Sequence, residues 1–439
     1  MIFSQKKYGV ISLGCDKNRV DTEKMLARLG TQNITQNMED AEIIIVNTCA
    51  FLESARKEAI DTVLECNEFR EKGKLEKIVM TGCLSQKFIG ELYDEFTEVD
   101  VFLGIADYDL LPEAIERAYS GERVNFVGKK GEFKAEKRVI TTPLHFAYLK
   151  IADGCNNHCT YCLIPYIRGK YRSESEDDLI AEARDLGGVE ELILVAQDIT
   201  RYGEDIYGKP GLVELLKKLS ALENVKSIRL LYCYPDMITD ELIEEIKTND
   251  KIIKYIDIPL QHADDEVLKR MNRKGSYKAY EELICKLRKE IPGIAIRSTF
   301  IAGFPGESEE NFENLLKFIK DMKLTNAGFF AYSKEEGTPA YKMKGHLPEK
   351  VKQKRVSMLY EAQRQISAER NNGLVGKTVE VLTDGVDYDK GSFYGRAYFS
   401  APDIDGKVYF TSDSDIEQGK RYNVRITSAD DYDLYGETI

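Results

Sequence analysis

Between Asp153 and Cys162 the chain reads Asp-Gly-Cys-Asn-Asn-His-Cys-Thr-Tyr-Cys, which sets Cys155, Cys159 and Cys162 at C-x3-C-x2-C spacing just after the strand-like run 146–152. Clustered soft thiolates favour iron–sulfur clusters or zinc. A structural zinc site usually takes four ligands from paired knuckles, and no fourth cysteine stands nearby. A [4Fe-4S] cluster with one open iron satisfies this count. Zinc completed by His158 or by a distant residue is the alternative that spacing leaves open.

The same run closely resembles the signature of the radical S-adenosylmethionine (SAM) enzymes. The resemblance implies that Cys155, Cys159 and Cys162 hold three irons and that SAM chelates the fourth through its amino and carboxylate groups. It also implies that Tyr161, the aromatic residue before the last cysteine, packs near the adenine.

Upstream, three short β-rich runs end at cysteines: 8–14 at Cys15, 41–48 at Cys49 and 77–82 at Cys83, each followed by a helical pattern. A fourth run, 99–103, leads into a helix near 110–119. This alternation predicts a small parallel α/β sheet over residues 1–135. Ligands of such sheets sit off the carboxyl ends of the strands, where all three cysteines fall. The spacing of 34 residues, twice over, is one strand–helix unit per cysteine. Cys15, Cys49 and Cys83 are therefore expected to converge as a second three-thiol site, against the alternative of buried core cysteines. Gly14 and Gly82 would permit tight turns or close backbone approach. Cys66 falls inside the second helix and reads as packing or surface. A charged stretch within residues 121–140 reads as a linker or long hairpin.

Strand–helix alternation resumes over 141–345, with strands expected at 190–196, 227–233, 255–259, 295–302 and 326–332. Together with the run before Cys155 these make an incomplete (β/α)6 barrel, whose active site belongs on the carboxyl face. Gln197, Asp198, Tyr234, Gln261 and His262 follow strand ends there. Arg297 lies within the fifth strand, where a buried cation needs an anion or a partner acid; the SAM carboxylate and a local salt bridge both answer that need. Gly303 and Gly306 flank Pro305 in a tight turn, and the family resemblance places Gly303 near SAM; Gln197, by its strand-end position, is the other candidate SAM contact. His262 is a proton carrier or a hydrogen-bonded wall residue. Cys285 lies on a helix and reads as structural, while Cys233 ends a strand near the cavity side. No paired carboxylates dominate, so acid–base hydrolysis is a weak reading.

Residues 346–373 read as one long charged helix, stopped at Gly373. Five short strands over 374–439 predict a small antiparallel β-barrel. That segment carries 13 Asp or Glu against 7 Lys or Arg, a net charge of -6. Gripping a phosphate backbone calls for the opposite sign, whereas an acidic module suits a basic protein partner.

At 439 residues, two or three domains are expected. Nine cysteines, an odd number scattered along the chain, do not form a disulfide framework. No apolar run is long enough to span a membrane, and the first residues enter a strand pattern without secretory cleavage logic. A cytoplasmic enzyme is expected.

Taken together, Leu13-Gly14-Cys15-Asp16-Lys17-Asn18, Asn47-Thr48-Cys49, Thr81-Gly82-Cys83 and the Cys155–Cys162 motif resemble the methylthiotransferases over essentially the whole chain. That family joins a three-cysteine N-terminal domain, a radical SAM barrel and a C-terminal TRAM domain. The resemblance implies two [4Fe-4S] clusters, the second on Cys15, Cys49 and Cys83 and carrying the sulfur. It implies reductive cleavage of SAM to a 5'-deoxyadenosyl radical, a second SAM as methyl donor, an electron donor and a sulfur source. One branch modifies an adenosine in tRNA; the other modifies the β-carbon of an aspartate in ribosomal protein S12. The tRNA branch often has Gly-Cys-Gln-Met-Asn at the first cysteine and a Gly-Gln-Asn form where this chain has Val195-Ala196-Gln197-Asp198. These differences and the acidic last domain favour S12, free or in the small ribosomal subunit, with tRNA the rival. A non-enzymatic iron–sulfur scaffold binding ribosomal partners is the reading from another class.

Overall fold

In the computed structural model, which describes residues 4–105, 107–128 and 137–439, the chain divides into two compact units. The first comprises residues 1–141 together with 153–156 and 162–172, and the second comprises 142–152, 157–161 and 173–439.

The first unit is built on five parallel strands in sequence order: Tyr8–Ser12, Ile43–Thr48, Lys77–Gly82, Val101–Phe102 and Val124–Asn125. Every residue of Ile43–Thr48 is buried, as expected of a strand covered on both faces. Period-two alternation sorts the side chains. Ile44, Val46, Ile78 and Met80 join one core, while Ile43, Ile45, Val79 and Val101 join the other. Helices Asp16–Leu29, Glu53–Asn67, Cys83–Glu95 and Leu111–Tyr119 follow the first four strands. The fifth strand, two residues long, is too short to leave a sequence signal. Of the charged stretch 121–140, residues 129–136 lie outside the described residues.

The second unit contains an open sheet of six strands, Phe146–Lys150, Glu191–Val195, Ile228–Leu230, Ile252–Asp257, Ala295–Ala302 and Asn326–Ala331, all parallel and in sequence order. This is the incomplete six-unit barrel. The third strand stops at Leu230 instead of continuing to Cys233, because Tyr232 turns into positive φ (63°) and donates its N–H to Asp257 Oδ2. Helix Glu349–Asn372 then leads to a closed barrel of five strands, Thr378–Asp387, Ser392–Arg396, Val408–Thr411, Arg421–Ala429 and Leu434–Thr438. The expectation of a wholly antiparallel barrel needs one amendment: Val408–Thr411 pairs parallel with Leu434–Thr438. A closed ring with an odd number of strands cannot alternate direction all the way round.

The small barrel packs against the amino-terminal end of the central sheet. Glu191, the first residue of its strand, accepts from Arg229 Nε at 2.5 Å and from Arg396 Nη1 at 2.9 Å. Arg396 Nε also reaches Asp384, which pairs with His145 Nε2 at 2.8 Å.

Candidate cluster and cofactor sites

In the first unit the three N-terminal cysteines occupy equivalent places. Cys15 caps helix Asp16–Leu29, Cys49 follows Thr48 at the end of its strand, and Cys83 opens helix Cys83–Glu95. A Cβ at Gly14 would stand 2.7 Å from Cys49 Cβ, and one at Gly82 would stand 2.3 Å from Asn47 Oδ1. Both glycines have positive φ, so they serve as the close-approach positions their sequence context suggested. Asn18 ties the three loops together. Its Nδ2 donates to Leu13 O at 3.0 Å and to Thr48 O at 3.1 Å, while its Oδ1 lies 3.8 Å from Cys83 Sγ. Burial pushes the Cys83 thiol up to about 12; Arg168 pulls it down, and Cys15 and Cys49 raise it further. Cys49 is likewise raised, first by burial, and Cys15 adds to the shift. The three thiols thus share one electrostatic environment.

Arg168, which sequence reasoning passed over, is buried in the same unit. Its Nη1 donates to both oxygens of Asp153, at 3.0 and 2.9 Å, and approaches Asp21 at 3.3 Å. Its Nη2 donates to Asn18 Oδ1 at 2.5 Å and to Cys83 Sγ at 3.7 Å. Around it, Cys155 N–H donates to Gly169 O and Cys162 Sγ accepts from Ile164 N–H at 3.4 Å. The one available signal was a lone arginine six residues beyond the last motif cysteine.

In the second unit, Cys159 Sγ accepts from Arg273 Nη1 at 3.6 Å, and the same nitrogen reaches Tyr161 Oη at 3.3 Å. Arg273 is buried and also donates to Pro259 O. Tyr161 packs against a core of Val267, Met271, Phe304, Tyr332 and Ala340. Asn157 donates to Asp198 Oδ2 at 3.1 Å. Gln197 Oε1 is buried without a hydrogen-bond partner among the described residues, which leaves an acceptor for a donor brought by a ligand. Gly303 has φ +78°, and its N–H donates to Glu307 Oε2 at 2.8 Å. A Cβ there would meet Lys352 Cγ at 2.3 Å. Glu307 is held in turn by Arg355 at 2.6 Å. His262 is fully buried; its Nδ1 accepts from Asp264 N–H at 2.9 Å and its Nε2 faces Glu307 Oε2 at 3.4 Å.

Arg297 lies five residues before the end of its own strand, in register with Asp257, the last residue of the fourth strand. Its Nη1 meets Asp257 Oδ1 at 3.0 Å and its Nε meets Asp405 Oδ1 at 3.4 Å. Of the two answers its burial allowed, the geometry supplies the salt bridge, and with two acids. Cys66 and Cys233 are buried and Cys285 is exposed on its helix. The cavity-side place left open for Cys233 is a core position, with its N–H donated to Asp257 O.

Among the described residues, no three His, Cys, Asp or Glu side chains are grouped to hold a single metal ion. Ligands of one zinc stand within about 4.6 Å of each other, whereas each thiolate of a cubane takes its own iron. Among the described residues, no helix is long and apolar enough to cross a membrane.

Three family profiles match in order: "Uncharacterized protein family UPF0004" over residues 7–104, the Radical SAM superfamily over 149–319 and the TRAM domain over 375–439. The chain is 48% identical over 438 residues to ribosomal protein uS12 methylthiotransferase RimO of Thermoanaerobacter sp. (strain X514), covering 98% of this chain and all of the relative. It is 44% identical over 448 residues to the protein of that name from Acetivibrio thermocellus, with 99% of each covered. Among solved structures it resembles the radical SAM methyltransferase TsrM from Kitasatospora setae, with TM-score 0.57 at 13% identity over 76% of this chain and 77% of that one. It also resembles the cobalamin-dependent enzyme OxsB, with TM-score 0.52 at 12% identity over 82% of this chain and 57% of that one. At such identities the likeness is one of fold.

Proposed function

The chain belongs to the RimO family of ribosomal protein uS12 methylthiotransferases, and on that premise we propose that it adds a methylthio group to the β-carbon of an aspartate in ribosomal protein S12. The observation that carries this reading is the pair of cysteine triplets on one family framework, three thiols at successive strand ends and three in the radical SAM motif. Cys155, Cys159 and Cys162 would hold one [4Fe-4S] cluster with SAM, and Cys15, Cys49 and Cys83 a second. When bound, these groups supply one-electron cleavage of SAM, which a carbon too weakly acidic for an ordinary base requires, and a site for the inserted sulfur.

The chain's own residues bind and orient. Tyr161, on its buried core, offers a face for adenine. Gln197 Oε1 offers an acceptor, and the Gly303 turn, clamped by Glu307, offers backbone. Arg297 is left out of this set, since Asp257 and Asp405 already answer its charge. Labour would divide along the four segments, with 1–135 for the second cluster, 141–345 for SAM, 346–373 as connector and 374–439 for substrate recognition. Supporting a basic protein partner, Arg396 is buried in the ion network and Asp389, Asp403, Asp413, Asp415 and Glu417 remain exposed. An electron donor and a sulfur source complete the reaction, which we assign to the cytoplasm.

The test is anaerobic. Reconstituted enzyme with SAM, reductant and sulfide is given S12, free or in the small subunit, or unmodified tRNA. Mass analysis showing SCH3 in place of H on an aspartate of S12 alone supports the proposal; the same gain on tRNA alone overturns it. No 5'-deoxyadenosine from any mixture would return the chain to the scaffold reading.

A further inference from the structure

We propose that Arg168 raises the reduction potential of the N-terminal cluster, by donating from Nη2 to the Cys83 sulfur while Nη1 holds Asp153 of the SAM-motif loop. The inference rests on the two-cluster reading above.

The geometry leaves this guanidinium little freedom. Arg168 is 4% exposed, and its partners Asn18 and Asp21 are fully buried. Its bonds to both Asp153 oxygens set the plane of the fork, and Asn18 Oδ1 at 2.5 Å fixes the second nitrogen. Asn18 is anchored by the carbonyls of Leu13 and Thr48. It therefore touches the peptides leading into Cys15 and Cys49 while it aims Arg168 at Cys83. The 3.7 Å approach of Nη2 to Cys83 Sγ is thus built from both triplets' loops.

A tie between loops needs only Arg168, Asp153 and Asp21. The nitrogen turned to sulfur does something else. An N–H bond to a ligating sulfur, and a cation beside it, stabilise the more electron-rich reduced state and raise the potential. Arginine suits the place because its rigid fork reaches Asp153 and Cys83 at once, which a lysine ammonium cannot do. Asp153 stands two residues before Cys155, so the same side chain bonds the loop of one triplet and a sulfur of the other.

The experiment uses the full chain with Cys155, Cys159 and Cys162 changed to alanine, so that any cluster signal comes from the N-terminal triplet. Iron and sulfide are assayed first. A chain without them overturns the two-cluster reading itself, and this proposal with it. In a chain that holds the cluster, electron paramagnetic resonance during a potentiometric titration compares Arg168 with R168Q and R168K. The expected result is a more negative midpoint in R168Q and an intermediate one in R168K. R168K keeps a charge opposite Asp21 and Asp153, so it decides the matter if R168Q does not fold. An unmoved midpoint in every variant that holds the cluster, even with a lowered melting temperature, would reduce Arg168 to a loop tie and overturn the proposal.

Discussion

Arg297 Nε lies 3.4 Å from Asp405 Oδ1, an ion pair that fastens the fifth strand of the central sheet to the C-terminal barrel. Asp405 Oδ2 also accepts from Tyr255 Oη at 2.7 Å and from Ala401 N–H at 2.9 Å. The pair is a domain clamp set five residues before the end of the fifth strand, level with Asp257 of the fourth.

It follows that R297M should damage the fold and spare the cofactor. Removing one member of a buried ion pair leaves the other uncompensated, at a cost of about 3 kcal/mol or more. The melting temperature should fall, and D405N in the same chain should recover part of the loss. SAM affinity, measured by equilibrium dialysis on the folded fraction, should stay within a factor of about two, well below the tenfold that 1.4 kcal/mol of lost contact would give. A tenfold loss would return Arg297 to the cofactor.

Glu191 predicts a pH signature. Burial opposes its charge, but Arg229 and Arg396 more than offset that, and its carboxyl is held at about 2, below the ordinary 4.5. A depressed folded-state value gives stability that is fully present above about 4.5 and lost as pH falls through about 2. E191Q should therefore trail the native chain by a constant margin from pH 7 down to about 4.5, and the gap should narrow in more acid solution. Urea melts across that range measure it, and a margin that widened with acid would contradict the assignment.

At Gly303, positive φ and the contact with Lys352 act together. G303A should cost about 1–3 kcal/mol from the backbone conformation alone, plus whatever the Lys352 stem cannot yield. A double-mutant cycle with K352A separates the two terms. The K352A background should relieve the clash and leave the strain. Full additivity in chemical denaturation would show that the two positions do not touch.

The thiols outside the triplets should differ in reactivity. Cys285 is exposed, whereas Cys66 is 2% exposed with its thiol pushed to about 11 by burial, and Cys233 is fully buried and raised above the ordinary 9.0. Reactivity follows exposure and thiolate fraction. Brief alkylation of the native chain, followed by peptide mass mapping, should label Cys285 well before the other two. Early labelling of Cys233 would place it on an open cavity.

Much of this was legible from neighbouring residues. Strand–helix alternation places the three N-terminal cysteines at strand ends, and the long connector helix follows from its spacing and from Gly373. Strand Ala295–Ala302 falls where its pattern predicts. The misses share a cause. Leu230 ends its strand because of a bond from Tyr232 to Asp257 on the next strand, and Val124–Asn125 is a strand only because Val101–Phe102 pairs with it.

By itself the sequence determined the periodic elements, the two cysteine triplets and the acidic charge of the last domain, since these are set by local spacing and composition. Tertiary structure alone decided the partners of the charges: Arg297 with Asp405, Arg396 with Glu191 across 205 residues, and Arg168 with Asn18 across 150. A buried guanidinium requires partners, and no periodicity says which ones. Packing chooses them, because it alone determines which distant acid or sulfur lies within reach once water is excluded.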